Sequence, residues 1–235
     1  MSGIYADYDY DFMEEKDYYD YIYNIKMINR MQEVKYHTTN ALTQPLAFQI
    51  GSTAFIEDGT EQCINGIAQG TTELTRNGNK ITIKGIEIRG TLALNSETTV
   101  STAPAGPFIR IELILDKNTN GTRFAVNTYL DDISGANYDI LAFRNIKYLE
   151  RYDCIKEWMI QVPYNGAGDD EFGEGSWSGN EVPFMCCVCT DIPVRYTGDG
   201  ATVSSIMDNS LHLIAMSSGT NTDIWLNTRI VFVEG

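Results

Sequence analysis

The stretch Lys80-Ile-Thr-Ile83-Lys84-Gly85-Ile86-Glu-Ile88-Arg-Gly90-Thr-Leu92-Ala-Leu94 decides the fold. From Ile86 to Leu94 the even positions are apolar and the odd ones mostly polar. Side chains alternate across a β-strand, so this run puts one face on a core and leaves the other polar. Ile81 and Ile83 have the opposite parity, and the change falls at Gly85. One extra residue turns every later side chain to the other face, so a β-bulge or strand bend is expected at that glycine.

The same period extends outward on both sides. In Ile109-Arg-Ile111-Glu-Leu113-Ile-Leu115 the odd positions are apolar. Phe184, Cys186, Val188, Ile192, Val194 and Tyr196 share one parity, as do Ile224, Leu226, Ile230 and Phe232. Turn signals separate the runs: Asn77-Gly78, Asn118-Thr-Asn120-Gly121, Asn165-Gly-Ala-Gly168, Thr197-Gly-Asp-Gly200 and Ser217-Ser-Gly219. Residues 164–182 are rich in glycine and acid and read as a long loop. No internal repeat is visible. About eight strands with long connections predict an all-β chain, a single eight-stranded antiparallel jelly roll and not an up-and-down barrel.

The chain has 235 residues, 43% of them hydrophobic, enough for one domain with a sizeable core. No run approaches the apolar length of a membrane span, and no basic stretch leads into an apolar one at the N-terminus, so neither membrane insertion nor a signal peptide is expected. Residues 1–33 stand apart from the jelly-roll domain expected over 34–235: they carry eight acidic residues, three basic residues and seven tyrosines. Tyr5–Phe12 reads as flexible, whereas Ile22, Ile25, Ile28 and Met31 recur at helical spacing and predict a short amphipathic helix over roughly 13–31. That helix either packs on its own domain or serves as an arm on a neighbour. Five cysteines without framework spacing predict free, buried thiols.

Catalytic signals are sparse. Two histidines, His37 and His212, are too few for a metal site of the cupin kind, and His212 alternates within an apolar strand. Ser176-Trp-Ser178 puts tryptophan where a nucleophile elbow needs serine. Cys186-Cys187-Val-Cys189 has no second ligand pair. Asp116-Lys-Asn118-Thr-Asn120-Gly121 matches the first half of an EF-hand loop, but a strand precedes it and Asn127 stands at its twelfth position, so a turn is expected. No enzyme activity and no cofactor are expected. Among the acidic clusters, Asp131 with Asp132 and Asp169 with Asp170 are weak candidates for Ca²⁺ at a contact between subunits; solvated loops are the plainer reading. The net charge is −15, and without residues 1–33 it is still −10, so polyanions are repelled overall. Arg76, Lys80 and Lys84 are the tightest cationic cluster and the candidate contacts to nucleic acid, against the alternative of a surface face paired with Glu73 and Glu87.

Three stretches, in order, carry a family resemblance. Gln69-Gly70…Arg76-Asn-Gly78-Asn-Lys80-Ile is the first. The strand ending in Asp116-Lys117 is the second. The third is Val194-Arg-Tyr196 followed by Asn209-Ser-Leu211-His-Leu213 and Arg229-Ile-Val-Phe232; Arg151-Tyr152 lies between the second and the third. Together they resemble the capsid proteins of circular Rep-encoding single-stranded DNA viruses, over about residues 44–233. The resemblance implies a jelly roll, self-assembly into a T=1 shell of sixty copies, packaged single-stranded DNA, residence in the virion, assembly in the nucleus or cytoplasm of a host cell, and a host receptor. The family's Arg/Lys-rich N-terminal arm has no counterpart in the acidic residues 1–33. A soluble jelly-roll module that binds carbohydrate or a protein ligand is the alternative.

Overall fold

Alternating apolar runs become strands wherever the computed structural model describes the chain, over residues 15–40, 54–56, 63–94, 107–122, 126–131, 140–162, 181–218 and 222–235. The order is α1 (Glu15–Met31), β1 (Val34–Asn40), β2 (Ala54–Ile56), β3 (Lys80–Leu94), β4 (Phe108–Asp116), α2 (Val126–Tyr129), β5 (Tyr152–Gln161), β6 (Val182–Tyr196), β7 (Ile206–Asp208), β8 (Ser210–Ser217) and β9 (Thr222–Glu234). Among the described residues they form two antiparallel sheets: sheet A, ordered β1-β9-β3-β6-β7, and sheet B, ordered β2-β8-β4-β5. The described residues are therefore all-β apart from α1 and short helical turns.

The inner faces meet in one core. Ile83, Ile86, Ile88, Leu92, Ile109 and Ile111 have no exposed surface. Each such side chain contributes about 1.5–3 kcal/mol by leaving water. The parity expected for β3, β4, β6 and β9 is borne out on this inner side, with Val188 only half-buried.

The register shift falls at Gly85 as expected, and it spans three strands. Between the pairs made by Ile83 and Ile86, β9 advances two residues (Phe232 to Ile230), β3 three, and β6 four (Ile192 to Val188). Lys84 is the unpaired residue of β3 there, and its ammonium meets Asp191, which is unpaired on β6. The sheet bends at this line.

Helix α1 lies across the bend on the outward face of sheet A. Tyr21 is its buried anchor, and a Cβ at Gly85 would come within 2.6 Å of that ring. Asn24 reaches Cys189 at 3.7 Å. The helix expected over 13–31 thus packs on its own sheet.

Sheet B corrects the expectation of a polar, solvated outer face. Arg110, Glu112 and Ile114, outward on β4, are all buried, as are Ser210, His212, Ile214 and Met216 on β8. The connection between β4 and β5 folds back over them. Val126, Tyr129, Leu130 and Ala142 form a second apolar cluster there with Ile114, Tyr152, Ile214 and Met216.

Candidate functional site

The first and third of the stretches that carry the resemblance meet at one end of the sandwich, and Arg76 is their hub. Its Nε donates to the carbonyl of Ile67 at 2.9 Å, Nη1 to that of Gly78 at 2.6 Å, and Nη2 to that of Gly198. The guanidinium lies 4.1 Å above the Tyr196 ring, whose hydroxyl donates to Asn65 O at 2.9 Å. Asn65 in turn bonds Asn209 O and the Leu211 amide, each at 2.9 Å. Gln69 Nε2 donates to Asn77 O at 2.7 Å. Seven hydrogen bonds thus tie together residues that lie up to 146 positions apart.

Arg76 has no exposed surface, so it cannot meet a phosphate. This corrects the expectation of a three-cation cluster. Lys84 is held by Asp191, which neutralises it. Of the three, Lys80 alone is exposed on the outward side of β3. The alternative pairing also differs: Glu87 binds Arg89 and Arg229, and Glu73 accepts from Tyr36 at 3.2 Å. The residues therefore do not build a common nucleic-acid interface. The signal for Arg76 lay in its flanks: Gly78 and Gly198 bring their carbonyls to it, and a Cβ on Gly66, next to the third carbonyl's residue Ile67, would collide with Ala201 O.

The second and third stretches meet where Asp116 of β4 pairs with Ser210 of β8, and Arg151, from between them, holds that aspartate. Arg151 grips Asp116 with two parallel bonds, Nε to Oδ1 at 2.8 Å and Nη2 to Oδ2 at 2.7 Å. Such a fork is stronger and more directional than a single charge contact. Lys117 pairs with Asp153 at 3.0 Å, and its amide donates to Arg151 O at 2.9 Å. The Asp116–Gly121 segment is a turn as expected, with Asn120 and Gly121 in the left-handed region at φ 48° and 68°. Its first carboxylate is engaged by the Arg151 guanidinium.

The buried charges on sheet B form the other polar centre. Arg110 Nη2 pairs with Glu112, and its Nε lies 3.2 Å from Glu157. Its Nη1 donates to Ile140 O at 3.1 Å and Ala142 O at 2.7 Å. Arg144 Nη2 meets Glu157 at 2.6 Å. The Tyr129 hydroxyl donates to Glu112; burial first, and that carboxylate second, hold its pKa far above the usual tyrosine range. Two arginines balance two glutamates, so the network is closed in charge. Its role is to clamp the β4–β5 connection onto the sheet. Glu112, Cys154 and Glu157 offer ligand atoms within 4.8 Å of one another. They do not fit a metal, because both carboxylates are paired with arginine and burial pushes the Cys154 thiol up to about 11.

Ser210 Oγ and His212 Nε2 lie 2.8 Å apart, yet both are fully buried, with Thr119 behind them at 2.7 Å. No substrate can reach that pair. Cys63 and Cys186 are buried as expected, whereas Cys189 is exposed. Asp131 is exposed, and Asp132, Asp169 and Asp170 lie outside the described residues. No helix among the described residues is long and apolar enough to cross a membrane.

No protein-family model matches the chain, and no curated protein does.

Proposed function

We propose that this chain is a viral coat protein: a single jelly roll that assembles into a small icosahedral shell enclosing single-stranded DNA, in the manner of the family it resembles. The reading is of a structural protein, not an enzyme. The observation that carries it is the strand order. With the short β7 set aside, β1 pairs β9, β2 pairs β8, β3 pairs β6 and β4 pairs β5. Strands from the two ends of the chain pair inward, as in one long hairpin. The further ladders β9·β3 and β8·β4 join the pairs as they would when that hairpin is rolled on itself. The meeting at Arg76 of residues from the first and third of the stretches that carry the resemblance adds support, since that part of the pattern then has a structural cause.

Residues 1–33, with eight acidic and three basic residues, supply no net positive charge for retaining the genome in this reading. Lys80, divalent cations and stacking aromatics are the remaining means, and DNA affinity of the bare protein is expected to be weak. The test is light scattering coupled to chromatography, with negative-stain microscopy. Sixty copies of a 26.3 kDa chain give particles of about 1.6 MDa. A persistent monomer at high concentration and moderate salt overturns the reading in favour of a binding module.

A further inference from the structure

Among the described residues Lys35 is the one buried lysine, only 2% exposed. It stands on β1 opposite Phe232 of the core, so its side chain lies on the inner side of sheet A. Lysine is rarely buried without a partner, and this one has three. Its ammonium meets Glu234 Oε1 at 3.1 Å, Asn77 Oδ1 at 2.9 Å and Thr75 O at 3.1 Å. Glu234 closes β9 opposite Ile81 of the core, and it also accepts the amides of Asn77 at 2.7 Å and Gly78 at 3.4 Å. The carboxylate thus fixes the turn that carries Asn77 and touches the lysine with the same oxygen.

An amine, a carboxamide and a carboxylate are therefore held together by three separate parts of the chain. These are the groups that formation of an amide needs: a nucleophile, an acyl carbon and a base that moves the proton. Holding them in place replaces a collision between free molecules. Nζ already lies against Oδ1, the oxygen bonded to the acyl carbon Cγ. The other lysine pairs differ, since Lys84 and Lys117 each meet an exposed aspartate, and no carboxamide joins either contact among the described residues. Asn77 also borders a surface cleft lined by Gln69, Gly70, Thr71 and Asp199, which gives a small leaving group a way out.

We propose that Lys35 and Asn77 form an intramolecular isopeptide bond, Nζ to Cγ, with Glu234 as the base. Glu234 takes one proton from the Lys35 ammonium. The freed electron pair on Nζ bonds to Cγ, and the Cγ–Nδ2 bond breaks. Nδ2 leaves as ammonia with the second proton shed by Nζ, and it carries off the proton held by Glu234 as ammonium. The carboxylate is restored, and no oxidant or reductant takes part.

In sheet A, β9 lies between β1 and β3. The bond crosses the end of β9 and ties the edge strand β1 to the turn that opens β3. It joins residues 42 positions apart and so restricts the unfolded chain as a disulfide does. All five cysteines are free, and an amide is a staple that a reducing compartment does not open. The bond forms within one chain and stands apart from the shell-building reading.

The test is mass spectrometry of the purified full-length chain after incubation at neutral pH. The intact denatured chain is expected to weigh one ammonia less than its sequence. A tryptic digest is expected to hold residues 31–76 joined to residues 77–80, because acylated Lys35 no longer directs cleavage. Asn77→Asp reaches the same final mass by losing water, whereas Lys35→Arg and Asn77→Ala keep the full mass. Glu234→Gln still accepts from the turn but cannot take the proton, and it slows the bond by about a hundredfold or more. A wild-type chain that keeps its full mass after days overturns the proposal, whatever the variants do. Loss of ammonia that persists in Lys35→Arg reports a succinimide made by the Gly78 amide, and overturns it as well.

Discussion

The two sheets cover their outward faces by opposite means. Sheet B is closed by a connection that brings its own apolar residues and a neutral set of buried charges, so Arg110 and Glu112 are as inaccessible as the core isoleucines. Sheet A keeps a polar outer face, where Glu87 sits between Arg89 and Arg229, and receives a helix held chiefly by Tyr21 on a glycine. The first cover is built into the fold. The second rests on it, with a buried hydroxyl that has no hydrogen-bond partner among the described residues. The difference teaches that polar alternation along a strand does not by itself mean water on that face. In β4 the polar residues are there for one another.

The comparison breaks most sharply at Arg110. Arg110→Met leaves Glu112 charged and buried, and is expected to cost about 3–5 kcal/mol in urea denaturation. Arg110→Met combined with Glu112→Met recovers part of that loss, because no uncompensated charge remains. Equal losses in the single and double variants would show that the network does not act as a unit.

On sheet A a comparable insult has a local effect. Gly85→Ala drives a methyl into the Tyr21 ring and is expected to cost about 1–3 kcal/mol. Amide exchange should quicken in residues 15–31 while β3, β6 and β9 stay protected. Loss of protection throughout the sheet would make the helix integral to the fold, like the cover of sheet B.

Tyr21→Phe removes the unpaired hydroxyl and keeps the ring. It is expected to stabilise by about 1 kcal/mol, whereas Tyr129→Phe, which takes a donor from Glu112, destabilises by about 1–3 kcal/mol. Melting curves of the two variants read the contrast directly, and a shift of the same sign in both would remove it.

The smallest effect concerns pH. His37, on the edge strand β1, has its pKa lowered by burial. A base whose folded pKa is depressed contributes stability above its unfolded value of 6.5, lost as pH falls below that value. Lowering pH also reduces the net negative charge, so the variant His37→Gln is the proper reference. Wild type should lose melting temperature relative to that variant between pH 7.5 and 5, and parallel profiles would refute the assignment.

Much of the interior was legible in the sequence because burial on one side leaves a period of two. Ile81 and Ile83 against Ile86 and Ile88 even marked the bend. The outer side of sheet B was not legible. Arg110 and Glu112 look like solvent residues, and their partners Tyr129, Arg144 and Glu157 come from a connection without periodicity. The burial of Arg76 was not legible for a related reason. Sequence displays the charge of Arg76 but not the three carbonyls that enclose it. The Asp116 turn was legible from its composition, and its clamp by Arg151 was not, since nothing local pairs two residues 35 positions apart. The packing of helix α1 was half visible: Ile22, Ile25 and Ile28 were read, but Tyr21, its buried anchor, was not.

The bend at Gly85 sets strand lengths as lanes on a curved track. The inner lane, β9, covers in two residues what β3 covers in three and β6 in four. Neighbouring lanes therefore cannot gain or lose a residue independently. Removing Lys84 alone would leave Ile83 and Ile86 two residues apart, in step with Phe232 and Ile230 of β9, and so straighten β3 against that strand while β6 still carried its extra residues. Relatives of this chain would keep the spacing from Ile83 to Ile86 and from Val188 to Ile192 even where the residues themselves have changed, so that lengths outlast letters.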